Sequence, residues 1–82
     1  MSKARREVLI APKALEGMEA ANPTGAEREA IRTVLAELST DISRGYRIAF
    51  VNPLTYRIDV GRFRIHFRFN DRKVEVAFIG VY

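Results

Sequence analysis

The sequence contains no cysteine, and its apolar runs are short. Without cysteine the chain has no disulfide framework, no thiolate metal site and no cysteine nucleophile. No segment approaches the roughly 18 to 20 consecutive apolar residues that a membrane-spanning helix needs. The apolar run at residues 8–11 stops at Pro12 and is too short for the core of a signal peptide. We therefore expect a cytoplasmic protein with no membrane partner.

Several motifs of catalytic and cofactor sites are also missing. The chain has no glycine-rich loop that would cradle a phosphate and no Ser-His-Asp pattern. Its single histidine, His66, has no second histidine or carboxylate at metal-ligand spacing on the same element. We therefore expect neither a metal ion nor a cofactor.

Length and charge limit the number of domains and the kinds of partner that the chain can have. At 82 residues the chain is one small domain spanning 1–82, so most of its large hydrophobic residues are needed in the core. The 14 Lys and Arg residues against 10 Asp and Glu give a net charge of +4, and arginine predominates. Arginine favours planar, bidentate recognition of phosphate or carboxylate. The expected partner is therefore a nucleic acid or an acidic protein.

The first half of the chain has helical patterns. A short apolar strand at residues 7–11 is followed by a helix that begins at Pro12 and extends to residue 20, with Gly17 as a weak point. Thr24 and Glu27 then have the spacing of a capping box. The pattern predicts one amphipathic helix from residue 24 to about residue 43, with apolar residues at helical spacing: Ile31, Val34, Leu35, Leu38 and Ile42.

The second half has strand patterns. Residues 46–51 form a strand or an extended arm, interrupted by Asn52 and Pro53. Alternating strands then follow, with turns at residues 61–62 and 70–71. The predicted fold is α+β: an N-terminal strand, two helices of which the second is long, and an antiparallel meander packed on the helices. Its core would join Ile31, Leu35 and Leu38 to Ile58, Phe63, Ile65, Phe67, Val76 and Phe78.

Strand register tests whether the two hairpins agree, because a slip of one residue exchanges the faces of a strand. A two-residue loop at residues 61–62 pairs Val60 with Phe63, Ile58 with Ile65, Tyr56 with Phe67, Asp59 with Arg64, Arg57 with His66 and Thr55 with Arg68. The next turn would pair Phe69 with Val74, Phe67 with Val76, Ile65 with Phe78 and Arg68 with Glu75. Both hairpins then give one apolar face and one charged face, and the charged face carries Arg57, Asp59, Arg62, Arg64, His66, Arg68, Lys73 and Glu75.

The charged face has two interpretations. Alternate residues of a strand are about 6.6 to 6.8 Å apart, close to the phosphate spacing of an extended single strand. The face would then bind nucleic acid through Arg57, Arg62, Arg64, Arg68 and Lys73. In the plainer interpretation it is a solvated surface, with cross-strand ion pairs from Asp59 to Arg64 and from Arg68 to Glu75.

His66 lies at the centre of these cations. Arg64 and Arg68 flank it along its strand, and Arg57 lies opposite, so its protonation is disfavoured. A neutral imidazole at this position can accept a proton from a nucleophilic hydroxyl. The alternative is a histidine that is simply tolerated on a polar surface.

The order of elements and the stretch YRIDVGRFRIHFR, residues 56–68, resemble the RelE/ParE superfamily of bacterial toxins, whose consensus there is roughly Tyr-Arg-x-Arg-Val-Gly-x-Tyr-Arg-x-x-Tyr-Arg. The stretch APKAL at residues 11–15 and the long helix ending in LAEL at residues 35–38 also suit this family. The resemblance covers nearly the whole chain. It implies the toxin of a type II toxin-antitoxin pair, together with an acidic antitoxin encoded next to it.

Two activities occur in that superfamily. RelE-like members cut messenger RNA on the ribosome through the RNA 2′-hydroxyl, without a metal ion, whereas ParE-like members act on DNA gyrase. The resemblance implies that Arg64 contacts the scissile phosphate and that Arg57 assists it, while Asp59 stands where the nucleases have a second basic residue. A third possibility is an inactive homologue that only binds its antitoxin.

The C-terminal residues resemble the YoeB-like branch. Tyr82 matches its terminal tyrosine, but Val81 stands in place of its histidine and Asn52 in place of its general-base glutamate. Two proton-transfer groups are therefore missing, and His66 or Asp59 would have to replace them. The leading hypothesis is an mRNA interferase with Arg64, Arg57, Tyr82 and His66 as its catalytic residues.

Overall fold

The computed structural model describes residues 5–42, 46–47 and 55–81. Within these ranges two helices, α1 (Pro12–Ala20) and α2 (Gly25–Leu38), pack on one face of a five-stranded sheet. Its strands are β1 (Glu7–Ile10), β2 (Tyr46–Arg47), β3 (Tyr56–Val60), β4 (Phe63–Phe69) and β5 (Lys73–Val81). The predicted α+β order of strand, two helices and antiparallel meander is confirmed.

The strand order of the sheet is β1-β5-β4-β3-β2. Strands β2 to β5 pair antiparallel with their neighbours, whereas β1 pairs parallel with β5 and places Glu7 opposite Lys73. A parallel pair needs a crossover connection, and the two helices lie within it. The first strand therefore joins the sheet beside the last one, a pairing that the sequence patterns did not indicate.

Helix α1 begins at Pro12 and ends at Ala20, as predicted. Its weak point, Gly17, lies against β5. A Cβ at residue 17 would lie 2.3 Å from the carbonyl oxygen of Ile79. Glycine is therefore required because the backbone of α1 approaches the backbone of β5 too closely for any side chain.

Helix α2 begins with the predicted capping box. The Glu27 amide donates to Thr24 Oγ1 at 3.1 Å, and the Thr24 amide donates to Glu27 Oε1 at 2.9 Å. The helix ends at Leu38, earlier than the predicted residue 43. The hydroxyl of Ser39 donates to the carbonyl of Ala36 at 2.7 Å, a local bond that competes with further helix.

Two further expectations concern the segment before the hairpins and the absence of a membrane-spanning helix. Tyr46–Arg47 forms a short strand, while the rest of the predicted strand or arm at residues 48–51 lies outside the described residues. Neither helix in the described part of the chain is long and apolar enough to cross a membrane.

The core lies between the helices and the sheet, and its sheet side depends on a β-bulge. The predicted pairs from Val60–Phe63 to Tyr56–Phe67 are all present, as are Phe69–Val74 and Phe67–Val76. The register then shifts between His66 and Phe67, so Ile65 pairs with Ile79. The buried apolar residues are Ala14, Ile31, Val34, Leu35, Leu38, Ile58, Phe63, Ile65, Phe67, Val74, Val76 and Ile79.

Two predictions for Phe78 are therefore wrong. It does not pair with Ile65, and it is 41% exposed instead of buried. The bulge places one extra residue in β5, which moves Ile79 onto the core face and leaves Phe78 on the opposite face. The sequence-based prediction assumed strict alternation along β5 and therefore assigned Phe78 to the wrong face.

Candidate functional site

The sheet face turned away from the helices carries a continuous set of charged and aromatic side chains. We call it the polar face, and it consists of Arg57, Asp59, Arg64, His66, Arg68, Glu75 and Phe78. The residues between them on β3 and β4, such as Ile58 and Ile65, are buried against the helices. Period-two alternation therefore builds both faces from the same strands.

The cross-strand pairs set the order of groups across the polar face. His66 on β4 lies between Arg57 on β3 and Phe78 on β5. In the adjacent row, Arg64 lies between Asp59 and Gly80. The centre of the face therefore combines two guanidinium groups, one imidazole and one phenyl ring.

Arg57 and Asp59 form a two-point ion pair along β3. Arg57 Nε lies 2.9 Å from Asp59 Oδ1, and Arg57 Nη2 lies 3.2 Å from Asp59 Oδ2. The sequence predicted an ion pair between Asp59 and Arg64. Those two residues are opposite each other, as predicted, but the carboxylate is bound by Arg57 on its own strand. Asp59 therefore offsets part of the positive charge of the polar face.

The surroundings of His66 disfavour its protonated form. Burial lowers its pKa most, the charges of Arg64 and Arg57 lower it further, and Asp59 acts in the opposite direction. The sequence prediction of disfavoured protonation is confirmed in direction, with desolvation as the larger cause. Its Nε2 atom is buried and has no hydrogen-bond partner among the residues that the structure describes. In a neutral imidazole one of the two ring nitrogens can accept a proton, while the other carries one.

Arg62 lies apart from the polar face. Its Nε lies 2.6 Å from Glu27 Oε2, and its Nη2 donates to the carbonyl of Ala21 at 3.0 Å. Hydrogen bonds from Arg62 and from the Thr24 amide lower the pKa of Glu27 to about 2. Arg62 therefore joins the β3–β4 turn to the start of α2, and it does not extend the row formed by Arg64 and Arg68.

The remaining predicted site residues lie toward the other end of the sheet. Arg68 is exposed and opposite Glu75, as predicted, but Glu75 approaches Lys73 at 3.9 Å on its own strand. Tyr82, predicted to be catalytic, lies outside the described residues. In the described ranges no three His, Asp or Glu side chains are grouped so that they could hold a metal ion.

Phe78 is the residue of this site that the sequence patterns missed. Its ring centroid lies 5.1 Å from that of His66, with the ring planes tilted by 48°. The hydrophobic pattern of β5 is ambiguous at this point, because Phe78 and Ile79 are adjacent and both apolar and either could occupy the core face. The spacing of three residues from Val76 to Ile79 is the trace that the bulge leaves in the sequence.

A second surface feature lies on the helical side. An apolar groove of about 370 Å³ runs between β1, α1 and α2, and its walls include Val8, Ile10, Leu15, Met18, Ile31 and Leu35. Leu15 is 44% exposed there. Two arginines line the same groove: Arg28, bound to Glu19 at 2.7 Å, and Arg32, whose side chain is 76% exposed. The groove is therefore apolar with cations beside it.

The same arrangement of helices and strands occurs in a solved structure. A chain of the toxin-antitoxin complex RelBE2 from Mycobacterium tuberculosis superposes with a TM-score of 0.83 over 99% of this chain and 95% of that chain. The chain has a RelE-like toxin fold. Sequence identity to that chain is 14%, so the likeness is one of fold. No protein-family model and no curated protein matches the sequence.

The RelE-like fold agrees with the resemblance read from residues 56–68. It fixes the layout of the sheet and the helices, whereas chemistry depends on the side chains that the sheet presents. In this chain those are the arginines, the neutral histidine and the phenylalanine at the centre of the polar face.

Proposed function

We propose that this chain is the toxin of a type II toxin-antitoxin pair and that it cleaves messenger RNA on the ribosome, in the cytoplasm, without a metal ion. One observation carries the proposal: the sheet places Arg57 and Arg64 around His66, whose pKa is lowered and whose Nε2 atom has no hydrogen-bond partner among the described residues. Cations that bind phosphate beside a proton acceptor are the groups needed for attack by a ribose 2′-hydroxyl.

The proposed reaction uses each group in a stated role. His66 accepts the proton of the 2′-hydroxyl, and the 2′ oxygen then attacks the adjacent phosphorus. The bond from phosphorus to the 5′ oxygen breaks, and that oxygen leaves with a proton from water. Arg64 stabilises the negative charge that develops on the phosphate oxygens, with Arg57 beside it.

Residues farther from the centre have supporting roles. Arg68 and Lys73 extend the positive surface along β4 and β5, where they would bind flanking phosphates. The family resemblance implies that Tyr82 would lie near the reacting group. Arg62 has no role in RNA binding under this proposal, since Glu27 and the carbonyl of Ala21 already bind its guanidinium.

The first test is to replace Arg64 with alanine. We expect Arg64→Ala to reduce transcript cleavage by about 10² to 10³-fold, because the transition state loses one charge-stabilising group. The measurement is mapping of transcript ends after induction, together with growth. The control is Lys13→Ala, which also removes one positive charge but on exposed α1, and should leave cleavage unchanged. Cleavage by folded Arg64→Ala at the wild-type rate would contradict the proposal.

A second candidate function is favoured by Asp59. Its two-point pair with Arg57 occupies a cation that a nuclease would use for phosphate. A ParE-like toxin that acts on DNA gyrase needs no such cation for chemistry. Induction of that toxin would cause a DNA-damage response with intact transcripts, whereas an inactive homologue would allow normal growth.

The proposed partner is an acidic antitoxin encoded beside this chain. The apolar groove suits an amphipathic segment, because its walls can bury apolar side chains while the exposed Arg32 beside them can bind a carboxylate. The net charge of +4 favours the same acidic partner.

A further inference from the structure

Phe78 is a large aromatic residue placed on a charged surface. The bulge in β5 puts it on the polar face, 41% exposed, while the next residue, Ile79, is fully buried. A regular strand would have placed these two side chains the other way round. The fold therefore presents a phenyl ring to solvent beside the cations of β3 and β4.

The ring has a defined position. A Cβ at residue 80 would lie 2.6 Å from the Phe78 ring, so the ring lies directly over Gly80. On its other side it contacts the ring of His66, at 5.1 Å between centroids. Gly80 is opposite Arg64 across the strands. The absence of a side chain at residue 80 thus leaves room for the Phe78 ring next to the position that lies opposite Arg64.

Such a combination is typical of surfaces that bind single-stranded nucleic acid. Arginines bind the phosphates along the strand, and aromatic rings stack on the bases. Stacking depends on a base that is unpaired and free to leave its neighbours. Every base has a flat aromatic face, so stacking on a protein ring tolerates many RNA sequences.

We infer that Phe78, supported by His66 and Gly80, is a stacking platform for an unpaired base of the RNA whose phosphate Arg64 binds. This inference rests on the proposed function and deepens it, because it names the substrate as single-stranded RNA with an accessible base at that nucleotide. Phe78 positions the substrate and takes no part in proton transfer. The platform holds one nucleotide in place while His66 accepts the proton of the 2′-hydroxyl and Arg64 binds the adjacent phosphate.

The chain contains no tryptophan, which makes a direct test possible. Phe78→Trp introduces a single indole at the platform. We expect its fluorescence to be quenched by a 2′-O-methyl RNA oligomer, which cannot be cleaved, and not by an abasic oligomer of the same length and charge. The control is Thr33→Trp, on the exposed side of α2, where neither oligomer should quench the indole. Equal quenching of the Phe78→Trp indole by both oligomers would overturn the inference.

Affinity provides a second readout. We expect Phe78→Ala to bind the base-containing oligomer about 5- to 150-fold more weakly, with unchanged affinity for the abasic oligomer, and Phe78→Tyr to restore binding. Wild-type affinity of Phe78→Ala for the base-containing oligomer would overturn the inference. So would a Phe78→Ala variant that binds RNA normally but is no longer neutralised by the antitoxin, because the ring would then be a protein contact.

These oligomer measurements are independent of cleavage. If transcripts stay intact in cells while the base-containing oligomer alone quenches Phe78→Trp, the proposed nuclease is wrong and the platform stands. If transcripts are cut and Phe78→Ala cuts them at the wild-type rate, the platform is wrong and the nuclease stands.

Discussion

At the scale of single residues, the surroundings of His66 lower the pKa of its imidazole. Its pKa lies below the ordinary value of 6.5 because the ring is partly buried and because Arg64 and Arg57 are close, with Asp59 opposing them. A histidine on an open strand face would titrate normally. The lowered pKa of His66 therefore comes from burial of the ring and from the cations of the polar face around it.

This environment predicts a pH dependence. The folded pKa lies below the unfolded value, so the unfolded chain binds the proton first as the pH falls. The stabilisation by neutral His66 is complete above about pH 6.5 and is lost as the pH falls from there through the folded pKa. Because the chain has one histidine, its NMR titration is unambiguous, and we expect a midpoint below 6.5.

The same titration has an internal control. Arg64→Gln removes one of the two cations that lower the pKa, so its midpoint should move toward the ordinary value. A wild-type midpoint above 6.5 would contradict the described environment of the ring.

At the scale of elements, the β-bulge decides which face of β5 is apolar. Ile79 is completely buried under α1, where its carbonyl oxygen lies against Gly17. Phe78 faces away from the helices. Two adjacent apolar residues therefore have opposite roles, one in the core and one on the polar face.

Two substitutions measure this division. We expect Ile79→Ala to lower the free energy of unfolding by about 2 to 5 kcal/mol, since it leaves a cavity in the core. Phe78→Ala should lower it by about 1 kcal/mol or less, because its side chain is partly exposed. Urea denaturation gives both values. The reverse order would show that β5 has regular alternation without the bulge.

At the scale of the whole molecule, the two sides of the sheet have different surfaces. The polar face carries cations around an imidazole and a phenyl ring, while the helical side carries an apolar groove with Arg28 and Arg32. The helices and the core separate these surfaces. Substitutions in the groove should therefore affect partner binding without affecting the chemistry proposed for the polar face.

Leu15→Asp tests this separation. A carboxylate at the exposed apolar position in the groove should weaken antitoxin binding at least about tenfold, while toxicity without antitoxin is unchanged. The measurement is growth with and without coexpressed antitoxin, together with the affinity of the purified pair. Lys13→Asp places the same carboxylate on α1 outside the groove and should remain neutralised. Full neutralisation of Leu15→Asp would exclude the groove as the antitoxin surface.

Local rules explain what could be predicted from the sequence. The capping box of Thr24 and Glu27 joins residues three apart, and a two-residue turn sets the register of β3 and β4. These features need only neighbouring residues, so the row containing Arg57, Arg64 and His66 followed directly from alternation. The end of α2 was harder, because Ser39 competes with the helix through its hydroxyl.

The α+β order, most of the core and the cations at the centre of the polar face could be predicted from the amino-acid pattern, since each follows from periodicity or from a short turn. The position of Phe78, the pairing of Arg62 with Glu27 and the parallel pairing of β1 with β5 became visible in the folded chain. Each of these depends on residues that are distant in sequence. The bulge in particular places Ile79 in the core beneath α1, and this packing leaves Phe78 on the polar face beside His66.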